Sequence, residues 1–117
     1  MSKESKAKGQ LGEQMATQFL VAKGFNLLIQ NYRCGHAEID LIFQKSELLV
    51  FVEVKYRAPS DYGPPEAAVS RHQQACIMQA AEQFIWENNW EGDIRFDIVA
   101  ISPGTSPEIV HFEDVFY

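Results

Sequence analysis

Ala37–Phe43 reads AEIDLIF and Leu48–Tyr56 reads LLVFVEVKY, two apolar runs separated only by a short polar link. Their lengths and their Val, Ile, Leu and Phe content suit buried strands. Three ionisable residues interrupt them: Asp40, Glu53 and Lys55. An ionised side chain in such a setting is costly unless it is paired or bound to a metal, so these charges need partners. Lys45-Ser46-Glu47 marks the reversal, and the length of the loop decides which side chains share a face. With an even loop, Ile39, Leu41 and Phe43 join Leu48, Val50, Val52 and Val54 in one apolar face, leaving Asp40, Ile42, Phe51, Glu53 and Lys55 on the other. An odd loop without a bulge would mix charged and apolar side chains on both faces, which burial disfavours. Asp40 is therefore expected beside Glu53, with Lys55 one step further along.

On the N-terminal side, Leu11, Met15, Ala16, Phe19, Leu20 and Ala22 share one side of a helix at about 100° per residue. The pattern predicts a helix from about Leu11 to Lys23, ended by Gly24. Glu13 falls at the border of its apolar face, as a rim residue or one leaning over a neighbouring sheet. Phe25–Tyr32 reads as a strand, with a turn at Arg33-Cys34-Gly35-His36. On the C-terminal side, residues 57–64 (RAPSDYGP) read as loop, and Pro65 opens a short helical turn through Val69. Ser70-Arg71-His72-Gln73 has capping-box spacing, starting a helix to about Asn88 with Ile77, Met78, Ala81, Phe84 and Ile85 inward. Arg95–Ile101 and Ile109–Phe112 read as further strands, with a turn at Pro103-Gly104. The order is that of a mixed α/β layer structure, in which the long helix can connect two parallel strands.

A chain of 117 residues with 46% apolar content fits one folded domain, expected over residues 10–117 behind a mobile basic tail over 1–9. No apolar run is long enough to span a bilayer, and the charged N-terminus lacks a signal peptide's apolar segment, so a cytoplasmic location is expected. Cys34 and Cys76 are far apart in sequence and read as two reduced thiols without a zinc site. His36, His72 and His111 have no common ligand spacing. Asp97 reads as an exposed strand residue, and Trp86 and Trp90 as cover for the core. The net charge of −6 runs against phosphate affinity, although a carboxylate cluster that binds a divalent cation has its sign reversed locally.

Two carboxylates a few ångströms apart on adjacent strands raise each other's pKa unless a cation lies between them. Magnesium suits Asp40 and Glu53, because it takes oxygen ligands and usually only one or two carboxylates. The Val54 carbonyl can add a third ligand, and Glu13 can hold a metal-bound water or a second ion. Lys55 is then placed to orient water or to stabilise charge on a phosphate. The plain alternative is an exposed Glu53–Lys55 pair contributing under about 1 kcal/mol.

An acidic residue on an early helix, an Asp on one strand and E-x-K on the next resemble the PD-(D/E)xK nuclease superfamily, which includes type II restriction enzymes and archaeal Holliday junction resolvases. More closely, GQLGEQMA, NYRCGHAEIDLI, LLVFVEVKYR, YGPPEAAV and RFDIVAI are similar to the YraN-type family of uncharacterised bacterial proteins, over nearly the whole chain from Gly9 to Ile101. The resemblance implies a restriction-endonuclease-like α/β fold, a central mixed β-sheet flanked by helices with an α-β-β-β-α-β core. It also implies a magnesium- or manganese-dependent endonuclease-like protein acting on structured or branched DNA. Carried over, it selects Glu13, Asp40, Glu53 and Lys55 as catalytic, and Arg57 as a phosphate contact. Arg71 and His72 remain as nucleic-acid-binding residues at a helix start that is commonly rich in Lys and Arg in the family. Here Gln73, Gln74, Ala75 and Cys76 follow them, and Ala37 replaces the usual Gly. Resolvase-like folds often act as dimers, so a homodimer is implied by analogy. The acidic balance favours the alternative of a non-catalytic module that keeps the fold and binds nucleic acid or protein.

Overall fold

The computed structural model describes residues 3–56 and 69–116, with side chains of the first helix described from residue 9. The elements are α1 (Lys3–Ala22), β1 (Asn26–Cys34), β2 (Ala37–Lys45), β3 (Leu48–Tyr56), α2 (Arg71–Glu87), β4 (Asp93–Ser102) and β5 (Glu108–Phe112). The strands form one sheet in the order β1-β2-β3-β4-β5. β3 and β4 are parallel and joined through α2, while every other neighbouring pair is antiparallel. This is the expected mixed sheet flanked by helices, with the α-β-β-β-α-β order intact. The loop over 57–64 and the helical turn expected from Pro65 lie outside the described residues. So does Arg57.

α1 begins at Lys3, so helix runs through residues 3–9 where a tail was expected. The apolar periodicity starts only near Leu11, but the preceding residues are mostly good helix formers and need no buried face to extend a helix already nucleated. Ser70 caps α2 as its spacing predicts: the Gln73 main-chain N–H donates to Ser70 Oγ at 3.1 Å. Asn88 closes the other end, its main-chain N–H donating to the Phe84 carbonyl.

The β2–β3 turn contains two residues, Ser46 and Glu47, between Lys45 and Leu48, which face each other. Ser46 takes a left-handed φ of 54°, a conformation that tight hairpin turns use. The even loop fixes the parity of β3. Leu41, Phe43, Leu48, Val50, Val52 and Val54 pack beneath α1 with Ala16, Leu20 and Phe25. Ile42, Leu49 and Phe51 pack beneath α2 with Ile77, Ala80, Ala81 and Phe84.

Ile39 departs from the expectation, because it packs with the α2-side cluster together with Ala37. Residues 39 and 42 of one strand cannot both face α2 under strict alternation, so β2 changes its facing between them. The change falls at Asp40. Neither Asp40 nor Asn31 has a partner in the β1–β2 ladder, which passes from Gln30↔Leu41 to Tyr32↔Ile39, and the β2–β3 ladder ends at Leu41↔Val52. Asn31 takes a left-handed φ of 53°.

Two other expectations are corrected. Trp86 is 75% exposed and does not cover the core. It lies two residues beyond buried Phe84, about 200° around the helix, on the side turned away from the sheet. Trp90 is partly buried in the α2-side cluster, and its Nε1 donates to the Asp93 carbonyl at 3.0 Å. Asp97 is fully buried, because β4 is central and covered on both faces, so alternation along it does not signal exposure.

Asp97 accepts four hydrogen bonds: two from Arg95 at 2.8 and 2.9 Å, one from His111 Nε2 at 2.7 Å and one from the Asp114 main chain at 3.0 Å. Lys23 at the end of α1 reaches His111 Nδ1 at 2.9 Å. Burial alone would raise the Asp97 carboxyl, but the bonds from His111, Arg95 and Asp114 outweigh it and hold the group below its ordinary value. Among the described residues, no helix is long and apolar enough to cross a membrane.

Candidate active site

Glu53 and Lys55 lie on β3 beyond the end of its pairing with β2. There the Val54 main-chain N–H donates to Asp40 Oδ2 at 2.8 Å, replacing a ladder bond with one to a side chain. A strand residue directs its N–H and C=O to the same edge, so the Val54 carbonyl faces Asp40's side of β3 as well. The Asp40 and Glu53 carboxyls lie close enough that each bears on the other's protonation. Lys55 Nζ lies 3.4 Å from Glu53 Oε1, and the Glu53 and Lys55 side chains are only 10% and 16% exposed. Gln73, in the first turn of α2, donates through Nε2 to the same Glu53 oxygen at 3.2 Å.

Glu13 is brought in by α1, and Gly12 explains how closely the helix can approach. A Cβ on Gly12 would lie 3.1 Å from Tyr56 Cβ and 3.5 Å from a Val54 methyl, so the missing side chain lets α1 settle against the end of β3. Glu13 is half-buried, feels the Asp40 charge and is hydrogen-bonded by the Asn31 side chain.

The electrostatics follow from this crowding. Burial, and then the Asp40 charge, push Glu53 from 4.5 up to about 8, with Lys55 pulling the other way. Burial also raises Asp40, against the bond from Val54 N–H. Glu13 is raised by burial and by Asp40 to about 7, opposed by Asn31. Both carboxyls are thus biased toward their protonated forms, and a cation placed between them would act in the opposite direction.

The folded chain keeps a proton on Glu53 that the unfolded chain loses above about pH 4.5, so this group's contribution to stability declines as pH rises toward about 8. Glu53→Gln, which keeps the shape and removes the ionisation, is expected to exceed the parent in stability by on the order of 2 kcal/mol at pH 8 without metal. The gap should shrink below about 1 kcal/mol at pH 5. Urea unfolding at both pH values measures it, and a pH-independent gap would refute the assignment.

Glu13, Asp40, Glu53, Val54 and Lys55 thus gather at one end of the β2–β3 pair. Arg71 and His72 are exposed at the start of α2, next to Gln73 but without a contact to the carboxylates among those described; His72 Nε2 lies 3.7 Å from Cys76 Sγ. Sequence reasoning missed two members. Gln73 stands out in the sequence as part of a capping box and as a neutral residue at the helix start, and neither feature carries a hint of Glu53. Asn31 was read as an ordinary strand residue, although Asn tolerates left-handed backbone better than most residues.

The two cysteines, remote in sequence, line one cleft with His36 and His72. Among the described residues, however, no three His, Cys, Asp or Glu side chains converge to hold a metal ion. What the Asp40 region offers is two carboxylates and a main-chain carbonyl, all hard oxygen donors. That set fits magnesium, which fills its remaining positions with water, and does not fit a structural zinc cage.

Fold and site together define an α/β protein of nuclease-like architecture, with acidic groups and a lysine gathered at the end of a central hairpin. The chain belongs to Uncharacterised protein family UPF0102, whose model matches residues 12–101. It is similar to UPF0102 proteins of Cytophaga hutchinsonii, 44% identical over 92% of this chain and 94% of the relative. One from Natranaerobius thermophilus is 40% identical, covering 96% of this chain and 98% of the relative. One from Flavobacterium psychrophilum is 38% identical over 93% and 92%. The matched residues contain the hairpin and β4 motifs, and the helix motif from Gly12 onward, on which the family resemblance rests.

Proposed function

We propose that the protein is a magnesium- or manganese-dependent nuclease that hydrolyses phosphodiesters in structured or branched DNA, acting in the cytoplasm. The observation that carries this reading is the pair of largely buried, mutually interacting carboxyls, Asp40 and Glu53, one fixed by the Val54 main-chain N–H at 2.8 Å and the other with a lysine 3.4 Å away. Asp40, Glu53 and the Val54 carbonyl would hold the ion, with Glu13 beside it through water or a second ion. A bound divalent cation supplies charge neutralisation at the phosphate and a more acidic water.

The protein's own groups do the remaining work. Lys55 presents its ammonium group where the phosphate oxygens gain negative charge as water adds to phosphorus and the ester P–O bond breaks. Glu13, with a pKa of about 7, can take up the proton released by the water near neutral pH. The departing oxygen takes a proton from solvent. Gln73 fixes the orientation of Glu53 through its 3.2 Å hydrogen bond.

A non-catalytic module that binds nucleic acid or protein is the second reading. It is favoured by the net charge of −6 and by a neutral amide, Gln73, standing at the first turn of α2 beside Glu53. Thermal melting during titration with magnesium or manganese separates the two. The nuclease reading expects a metal-dependent rise in Tm for the parent that is absent in Asp40→Asn, together with cleavage of labelled flap, junction, single-stranded or bulged DNA. Metal-independent, salt-sensitive DNA binding that survives Asp40→Asn, without cleavage, selects the second.

A further inference from the structure

Beside the carboxylates, α1 and β1 flank an open polar cleft of about 420 Å³, lined by Gln10, Glu13 and Gln14 from the helix and by Gln30 and Asn31 from the strand. Its volume lies within the roughly 300–1,000 Å³ usual for small-ligand sites. Four of its five walls are carboxamides. Each carboxamide carries both donors and an acceptor without charge, which is the complement of a base edge and a poor match to a phosphate.

The cleft joins the candidate active site through Glu13, which lines it, feels the charge of Asp40 and is hydrogen-bonded by Asn31. Asn31 holds its place at a cost in backbone conformation. Its φ of 53° lies on the rung opposite Asp40, where the β1–β2 ladder is interrupted. Strained backbone of this kind persists where surrounding structure enforces it, and it concentrates at binding and catalytic sites. One irregular rung therefore turns Asp40 toward Val54 and an amide toward the cleft.

We propose that this amide-lined cleft seats one unpaired nucleobase of the strand whose phosphodiester lies at the Asp40–Glu53 pair. The inference rests on the nuclease reading and narrows its substrate. A base can offer its pairing edge to Gln and Asn only when it is out of the duplex, so the substrate class is DNA with a single-stranded flap, end or bulge at the cut. It also answers the acidic net charge, since affinity drawn from base edges depends less on Lys and Arg than a phosphate grip does.

The test is side-chain amide NMR on the full chain in magnesium buffer, titrated with deoxyadenosine or deoxycytidine monophosphate and, separately, with deoxyribose 5-phosphate, which lacks a base. The amide signals of Gln10, Gln14, Gln30 and Asn31 are expected to move with the nucleotides and to stay in place with the sugar phosphate. The double variant Gln14→Ala/Gln30→Ala is expected to weaken nucleotide binding at least about tenfold while leaving Tm unchanged. Equal shifts with the sugar phosphate, or no shifts with either nucleotide, overturn the proposal. Cleavage assays separate its failure from that of the nuclease reading. A protein that cuts a flap with an abasic nucleotide at the cut as fast as the natural flap is a nuclease without a base seat. A protein whose amides respond to nucleotides but which cuts nothing keeps the seat and loses the hydrolase.

Discussion

Lys55→Ala is expected to slow metal-dependent cleavage by roughly 10²- to 10³-fold, the scale on which removal of one preorganised stabilising group acts in a buried site. The Lys55 side chain is 16% exposed and its Nζ lies 3.4 Å from Glu53 Oε1, so its charge is held in place and only partly screened. On the proposed nuclease reading its removal would take away the cation facing the phosphate, and it would also let the largely buried Glu53 carboxyl rise further, since Lys55 is one of the influences lowering it. Both effects act on the rate. Matched circular dichroism and melting curves for the parent and Lys55→Ala would show that the fold is kept, and a rate within threefold of the parent would remove Lys55 from the chemistry. A nonspecific surface lysine would instead weaken substrate affinity and steepen nothing in the turnover of bound DNA.

Asp97→Ala should be the most damaging substitution for the fold itself, with an expected loss of about 3–5 kcal/mol. The residue is fully buried and accepts four hydrogen bonds, two of them from the guanidinium of Arg95 and one from the nearly buried ring of His111. Deleting it removes the shared acceptor of Arg95, His111 and the Asp114 main-chain N–H, and leaves Arg95, among the described residues, only its 3.7 Å pairing with the more exposed Glu113. Against a typical total of about 5–15 kcal/mol, such a loss leaves a marginal protein. Urea unfolding at neutral pH measures it, and a change under 1 kcal/mol would show that the network is replaceable.

The pH dependence of this network runs opposite to that of Glu53. The Asp97 carboxyl is held below its ordinary value of 3.8, so its stabilisation is present above that pH and is lost on acidification. Glu53 is raised from 4.5 to about 8, so its contribution is favourable in acid and is lost toward alkaline pH. The metal-free protein is squeezed from both sides. A bound cation would relieve only the alkaline side.

The elements and their order along the chain were legible because the apolar runs are long and the turns are marked. An even hairpin loop followed from the cost of burying mixed faces, and with it came the meeting of Asp40 with Glu53. The capping of α2 by Ser70 was readable for the same reason, since it depends on residues only three apart. What escaped was whatever depends on distant segments meeting. Nothing local to Gln73 points to Glu53 across the packing of α2 on the sheet. Asp97 looked exposed because alternation marks two faces without saying whether a helix covers both. The turnover of β2 at Asp40 was hidden too, because the neighbours Ile39, Leu41 and Ile42 are all apolar and read alike on either parity, so Ile39 gave no sign that it faces α2.

The two-residue turn at Ser46–Glu47 sets a constraint on how this chain can diverge. One residue inserted there, without a compensating bulge, would rotate β3 by one step and send Glu53 and Lys55 into the layer under α1, in exchange for Val52 and Val54. Substitutions at the turn can be absorbed one at a time, but a change of its length by one alters the core and the chemistry together. Among descendants of this sequence, insertions at that hairpin should therefore arrive in pairs or not at all.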